Sequence, residues 1–414
     1  MSEVVSIPQL RFPEFSGEWR VDKFVDLCKF QQGVQVDVEL QSTEPKNNFL
    51  RFLRIENYTQ KSNDFRYIPK ELSSNKSITE NEIAIVRYGA TAGYIGRGLK
   101  GILANNLFKL VLNKDTLDTD YLFHLLRSYK TFCFFQSEMS GGAMPALSFG
   151  IVGALKLPYS SISEQQKIAA FLTAVDTKIE QLSKKKELLG EYKKGLMQKI
   201  FSQAIRFKAD DGSDFSDWEQ VKLATLSKLV TKQTGYDYSS TIKPSLETSK
   251  DDSNIPFVQN KDFNSTSINL NTDFYVPVSV QKKYPRITLD EKCLLITISG
   301  NIGNVGVYNK QEKAFIGGAV CVAKFKDKDN IDFVKYYLTT DIGQKMMLRE
   351  VKASSHQNIT VEGIRNFRIM LPYLEEQKKI VVFLSIIDNK IEQAGKQLIE
   401  SKQFKKALLQ QMFV

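Results

Sequence analysis

Ser163-Glu164-Gln165-Gln166-Lys167-Ile168 opens one long helical pattern, and Glu375-Glu376-Gln377-Lys378-Lys379-Ile380 opens another. Glu164 aligns with Glu376, and this shift of 212 residues (164 to 376) also carries Phe171 to Phe383 and Asp176 to Asp388. It takes Lys178-Ile179-Glu180-Gln181 to Lys390-Ile391-Glu392-Gln393, and Tyr192-Lys193-Lys194 to Phe404-Lys405-Lys406. Self-similarity of this length marks a duplicated unit, which frames every shorter motif. Apolar residues in both copies follow heptad spacing: Ile168, Leu172, Val175, Ile179, Leu182, Leu189, Leu196 and Ile200, then Ile380, Leu384, Ile387, Ile391, Ala394, Leu398, Leu408 and Met412. Lys186 and Lys193 interrupt the first seam, and Ser401 and Lys405 the second. A period of about 3.5 residues draws one apolar stripe along a helix, and that stripe must be buried. Two matching stripes in one chain can bury each other. The pattern therefore predicts helices near 163–201 and 374–412 pairing antiparallel, with the halves related by an approximate twofold; two unrelated helices, each on its own domain, are the alternative. Ser163 with Gln166 reads as a capping box, whereas Glu375-Glu376 offers the second helix only first-turn acids for its dipole.

Working outward, each half opens with an aromatic anchor: Leu10-Arg11-Phe12 leading to Trp19, and Ile205-Arg206-Phe207 leading to Trp218, the only two tryptophans. Packing of each opening strand explains them more simply than ligand contact. Phe49–Ile55 and Ile255–Val258 read as short strands running into polar residues, and Ile83–Val86 and Cys293–Ile298 as buried strands. The buried strands end in glycine-punctuated turns, Gly89–Gly96 and Gly300–Gly306. Strands resume through Ile102–Leu112 and Ala314–Phe325, followed by one helix per half at Thr119–Cys133 and Ile331–Leu348. Small-residue loops (Ser140–Pro145 and Ala353–Asn358) and Leu-Pro-Tyr strands (157–159 and 371–373) lead into the long helices. The order is globular, helix, globular, helix: an α+β chain.

At 414 residues the chain exceeds one core. No apolar run approaches the roughly 18 residues of a membrane span, and Met1–Leu10 carries no signal-like pattern, so the expected location is the cytoplasm, with no membrane partner. Cys28, Cys133, Cys293 and Cys321 are widely spaced, and only His124 and His356 could assist them, which argues against zinc and suits a reducing compartment. A net charge of +10 permits nucleic acid or acidic partners without requiring either.

Catalytic motifs are conspicuously missing. Gly96-Arg97-Gly98-Leu99-Lys100-Gly101 has G-x-G-x-x-G spacing but lies before a strand-like run rather than a helix, so it is not read as a dinucleotide site. No phosphate loop, amino-methyltransferase motif or hydrolase triad occurs, and Glu44-Pro45-Lys46 is only a fragment of a nuclease pattern. The chain reads as a binding protein with no metal site. Arg54, Arg87, Gln259, Asn260, Lys261, Asn301 and Asn304, at the ends of buried strands, are side chains able to address purine edges in the major groove. Asn57, Tyr88, Thr91, Tyr94, Ser299, His356 and Gln357 share those loops as candidate DNA contacts. Neighbouring glycines let backbone approach phosphate. Each residue alone is equally a solvated loop side chain.

The repeat, the Leu-Pro-Tyr…Glu-Gln-(Gln/Lys)-Lys-Ile segments and the paired glycine turns together resemble the DNA-specificity (S) subunit of type I restriction-modification enzymes, over essentially the whole chain. Departures are the stretched Pro158–Ser163 segment and Pro145-Ala146-Leu147 where the second half has Gln357-Asn358-Ile359. The resemblance implies two target-recognition domains at 1–160 and 204–373, each reading half of a split asymmetric site in double-stranded DNA. It implies conserved helices at 161–203 and 374–414 that form an antiparallel coiled-coil spacer and dock two modification (methyltransferase) subunits. Ile168, Leu172, Val175, Ile179, Leu182, Ile380, Leu384, Ile387, Ile391 and Leu398 would form the coiled-coil or subunit interface. S-adenosylmethionine would be bound by those partners, ATP and Mg by partner subunits including the restriction subunits; no cofactor is expected in this chain, which would be non-catalytic. A scaffold with merely solvated basic loops, and a solitary nuclease or methyltransferase, are the competing classes. Salt-sensitive binding to a particular duplex separates the first from the recognition subunit.

Overall fold

The computed structural model describes residues 7–73, 76–139, 145–263, 268–351 and 358–413. Strands β1 (Arg20–Lys23), β2 (Cys28–Gln32), β3 (Phe49–Leu53), β4 (Arg66–Pro69) and β5 (Ser77–Ile78) are followed by β6 (Ala84–Val86), β7 (Ile95–Gly96), β8 (Gly101–Leu103), β9 (Leu107–Leu112) and β10 (Lys156–Tyr159). They form two four-stranded sheets, ordered β2-β9-β6-β7 and β4-β3-β8-β5, and a two-stranded ribbon β1-β10. Every pair is antiparallel except β3–β8, which is parallel with Phe52 opposite Ile102. The short strands are apolar enough to be buried on both faces: Ala84, Ile85 and Val86 are all inaccessible.

The second half repeats this plan. Strands β11 (Glu219–Lys222), β12 (Ser227–Lys232), β13 (Asn254–Val258), β14 (Tyr275–Pro277) and β15 (Thr288–Leu289) precede β16 (Cys293–Thr297), β17 (Val305–Tyr308), β18 (Ala314–Ile316), β19 (Val320–Phe325) and β20 (Arg368–Leu371). Sheet orders are β12-β19-β16-β17 and β14-β13-β18-β15, with the ribbon β11-β20. The one parallel pair recurs as β13–β18. Equivalent strands thus have equivalent partners throughout.

The predicted long helices form at Ile162–Phe201 and Leu374–Met412. The chain divides into two compact units, Met1–Ser183 with Lys396–Val414, and Lys184–Gly395, so each unit contains a segment of both long helices. Within the first unit Ile168 and Leu172 share a core with Leu408, Met412 and Phe413, and further along the helix Asp176 meets Lys405 at 2.5 Å. Within the second, Met197 and Ile200 share a core with Ile380 and Leu384, while Lys193 meets Asp388 at 2.6 Å. Numbers rise along one helix as they fall along the other, so the segments run antiparallel in both units. Ile168, Leu172, Leu182, Ile380, Leu384 and Ile387 of the predicted seam are buried; Val175, Ile179, Ile391 and Leu398 are half-buried.

Four local expectations need correction. Lys193 and Lys405 do not merely interrupt the seams: each carries an ammonium to an aspartate of the facing helix, so the breaks in apolar pattern are ion pairs. The central helix starts one residue after Ser161, whose Oγ accepts from Glu164 N at 3.4 Å, so Ser161 and not Ser163 is the cap. Thr119–Cys133 is not one helix but two, Thr119–Leu126 and Tyr129–Met139, the second starting where Ser128 Oγ accepts from Thr131 N. Ile331–Leu348 likewise splits into Asn330–Thr339 and Asp341–Arg349, capped by Thr340 Oγ1 accepting from Gly343 N at 3.2 Å. In both cases a hydroxyl competes for the backbone and restarts the helix.

Candidate nucleic-acid interface

Each unit presents two loops at the ends of its central strands. After β3, Arg54 caps a short helix, Ile55–Thr59, and its backbone N donates to Asn57 Oδ1 at 2.8 Å. After β13, Gln259 does the same with Asp262 Oδ2 at 2.7 Å. Asn57 is only 4% exposed, and its Nδ2 donates to the carbonyls of Ser62 and Asp64. It therefore holds the loop's shape and is not presented to a ligand, unlike the expectation from sequence. Arg54 is partly exposed and engaged by Glu56 at 2.7 Å and Asp64 at 3.4 Å. Lys261 is exposed and paired with Asp273. Asn260 donates to the Ser299 carbonyl, tying this loop to the neighbouring glycine turn, and its buried Oδ1 has no partner among the described residues.

The glycine turns follow β6 and β16. Gly89 and Gly93 take φ of +88° and +85°, and Gly300 and Gly303 take +71° and +90°, conformations that L-residues rarely adopt. Between them Thr91 and Asn301 are exposed, as are Tyr88 and Tyr94; Ser299 and Asn304 are half-buried. Thr297 Oγ1 secures the second turn by accepting from Asn304 N at 2.9 Å and donating to the Asn301 carbonyl at 2.6 Å. A further segment runs beside each turn: Leu147 N donates to the Arg87 carbonyl at 2.8 Å, as Ile359 N does to that of Ile298 at 3.0 Å. These equivalent bonds align Arg87 with Ile298. The guanidinium of Arg87 lies 4.9 Å from the rings of both Tyr88 and Phe149, whereas Ile298 is buried hydrocarbon. The two turns share shape but not chemistry. His356 and Gln357 lie outside the described residues.

The long helices are tied to the sheets by a motif whose role the sequence did not disclose. Glu164 accepts from Arg11 Nε and Nη2 at 2.7 and 2.8 Å and from Trp19 Nε1 at 3.3 Å. Glu376 accepts from Arg206 Nε and Nη2 at 3.2 and 2.7 Å and from Trp218 Nε1 at 3.1 Å. Both carboxylates are buried and each meets a bidentate guanidinium, the strongest neutralising geometry available to a carboxylate. The tryptophans are thus both packed anchors and indole donors. The signal was present, since an arginine precedes each tryptophan and a glutamate opens each helix, but only the fold brings them together.

Several basic residues also escaped the sequence reading. Arg97 and Arg127 flank the ring of Phe123, at 4.1 and 4.9 Å. Arg127 is also 3.8 Å from Asp176, beside Lys405. In the second unit Lys335 lies 4.0 Å from Asp388. Among the described residues no cluster of three or more histidine, cysteine, aspartate or glutamate side chains could hold a metal, and no helix is long and apolar enough to cross a membrane.

The family model for the type I restriction modification DNA specificity domain matches residues 17–190 and 216–401. The type I restriction enzyme MjaVIII specificity subunit of Methanocaldococcus jannaschii is 28% identical, over 97% of this chain and 92% of its own length. The EcoBI specificity subunit of Escherichia coli is 21% identical over 68% of this chain and 61% of its own. In fold, the crystal structure of a type I restriction-modification system S subunit from M. genitalium matches with a TM-score of 0.61 at 16% identity, covering 99% of both chains. A chain from a structural study of complex assembly and conformational transition of the type I R-M system matches at 0.55 and 18% identity, over 95% of this chain and 97% of that one.

Proposed function

This chain belongs to the type I restriction-modification DNA specificity family, and from that premise we propose how its two units divide the work. As a specificity subunit it recognises DNA sequence and is not itself an enzyme. In our reading each unit addresses one half of a bipartite, asymmetric double-stranded site, in the cytoplasm. The observation that carries this is the pair of glycine turns: one scaffold, built twice, presents half-buried Arg87 and exposed Tyr88 in one unit, and in the other half-buried Ser299 and exposed Asn301, with buried Ile298 at the place of Arg87. A duplicated scaffold with divergent tips is suited to reading two different sequences. Arg54, Arg87, Tyr88, Thr91, Tyr94, Gln259, Asn260, Lys261, Ser299, Asn301 and Asn304 are the residues we assign to DNA contact, together with His356 and Gln357, which precede Asn358 in sequence. Arginine addresses guanine O6 and N7, and asparagine addresses adenine N6 and N7. Asn57 serves by holding Arg54 in place.

The helices would space the units and dock two modification subunits, with restriction subunits joining the assembly. S-adenosylmethionine, ATP and Mg would be held by those partners, so methyl transfer needs the complex. The test is exchange of residues 20–159 for those of a relative with another target, followed by mapping of methylated adenines in cells that also carry the modification subunit. One half-site should change and the other stay. If both change together, the units do not read independently.

A further inference from the structure

Two clefts occur at repeat-equivalent places. One, of about 370 Å³ in the first unit, is lined by Arg127, Ser128, Tyr129, Phe132 and, from the distal helix, Lys402, Lys405, Lys406, Leu409 and Gln410. The other, of about 420 Å³ in the second unit, includes Thr339, Thr340, Asp341 and Gln344 with Gly190, Lys193, Lys194, Met197 and Gln198 of the central helix. The shift of 212 residues converts each of those nine second-unit positions into a lining position of the first: 339 to 127, 344 to 132, 193 to 405 and 194 to 406, for example. Both clefts therefore have a floor of two consecutive lysines on a long helix, against the break between the two helices that follow the sheets.

The lysines of each pair do different things. Lys405 and Lys193 are spent on Asp176 and Asp388. Lys406 and Lys194 are exposed, with no hydrogen bond or ion pair among the described residues, and the same holds for Lys402. Both clefts also adjoin the loops assigned to base reading. Gly303, Asn304 and Val305 of the second glycine turn line the second cleft directly. In the first unit, Arg127 is shared with a neighbouring hollow lined by Asn57, Tyr94, Gly96 and Arg97, so cationic groups lead from the turn to the helix. The charge is uneven. The first cleft is lined by Arg127, Lys402, Lys405 and Lys406 with no acidic residue among its described lining, Asp176 meeting Arg127 and Lys405; the second is lined by Lys193, Lys194 and Lys335 together with Asp341, and Asp388 meets Lys193 and Lys335.

We propose that these clefts hold the phosphodiester backbone of DNA flanking each half-site, the one beside Lys405-Lys406 more strongly than the one beside Lys193-Lys194. This rests on the reading that the adjoining loops contact DNA. Unpaired ammonium groups beside a base-reading loop supply the sequence-independent part of binding and fix the register of the duplex. An acidic surface of a protein partner is the competing occupant.

The experiment uses the chain assembled with its modification subunits and a duplex carrying the mapped site, with affinity measured against salt. For every phosphate no longer neutralised by the protein, the slope of log K against log salt falls by about 0.9. Lys406→Gln should therefore lower the slope by about 1, so that its deficit relative to wild type narrows about threefold between 50 and 200 mM salt. Lys406→Arg should restore the slope, Lys194→Gln should give a smaller reduction, and the methylated sequence should stay the same in all three. A wild-type slope in Lys406→Gln overturns the proposal, and a wild-type slope together with loss of modification subunit from the purified complex assigns the cleft to a protein. A wild-type complex without sequence preference would defeat the base-reading assignment instead, and the slope comparison would still be readable.

Discussion

Asp176 and Asp388 occupy equivalent places in the repeat, yet their surroundings have diverged. Asp388 meets Lys193 at 2.6 Å, Tyr336 Oη at 2.7 Å and Lys335 at 4.0 Å. Asp176 meets Lys405 at 2.5 Å, Arg127 at 3.8 Å and His124 Nδ1 at 3.9 Å, while His124 Nε2 pairs with Thr173 Oγ1 at 3.0 Å. The repeat aligns His124 with Tyr336, Phe123 with Lys335, and Arg127 with Thr339. The lysine from the facing helix is kept, and the second cation has moved one helical turn, from the place of Lys335 to that of Arg127. What both units retain is charge balance at one point on the helix pair. The identity of the groups supplying the rest is free to change.

The comparison can be broken first at what the units share. Removing the carboxylate in Glu164→Ala or Glu376→Ala strands a guanidinium and an indole donor, at a cost of about 3–5 kcal/mol. The two losses should be equal, read from the free energy of amide exchange in β10 and β20, the strands nearest each glutamate in sequence. Unequal losses would mean that one unit has come to rely on other anchors. A smaller and unequal effect is expected at the diverged site. The Asp388 side chain is 11% exposed with three partners, so Asp388→Asn should cost about 2 kcal/mol. The Asp176 side chain is 32% exposed, so Asp176→Asn should cost less than about 1 kcal/mol. Urea unfolding of the two variants measures the gap, and a larger loss for Asp176→Asn would reverse the ranking.

A pH-dependent effect belongs to His124. Burial, first of all, pushes its imidazole from 6.5 to about 4, with Lys405, Arg97 and Arg127 adding to the shift and Asp176 opposing it. A folded-state value below the unfolded one gives stability that is full above pH 6.5 and is lost as pH falls toward about 4. Between pH 6.5 and 5.5 the first unit should lose about 1 kcal/mol through this group. His124→Tyr, which copies the residue of the second unit, should abolish that component. If the slope of stability against pH is the same in the variant, His124 is not its source.

Much of the architecture was legible because it was written twice. The shift of 212 residues placed both long helices, and the recurring order of motifs before them paired the glycine turns and the strands that precede those turns. Local competition was harder to read: Ser161 displaces Ser163 as cap, and Thr340 splits a continuous helical pattern, because single hydroxyl bonds decide such boundaries. Side-chain destinations were the least legible. Asn57 matches a base-reading residue by type but is turned inward to serve its own loop. Lys193 and Lys405 look like flaws in an apolar seam until their aspartates on the facing helix are located. Such partners are about 200 residues apart in the chain, and no local pattern connects them.

The way the helices are shared also orders the assembly of the chain in time. The second unit is one continuous segment, Lys184–Gly395, whereas the first joins Met1–Ser183 to Lys396–Val414. Phe413 packs its ring on Tyr121 at 5.5 Å, the place that Phe201 takes against Phe333 in the second unit. During synthesis, domains ordinarily fold from the N-terminus onward. Here the sheets of the first unit emerge before Leu408, Met412 and Phe413, which belong to their core, while the second unit emerges with all its parts. Amides of β20 should therefore gain protection from exchange on the growing chain before those of β10. The region made first is the last to be finished.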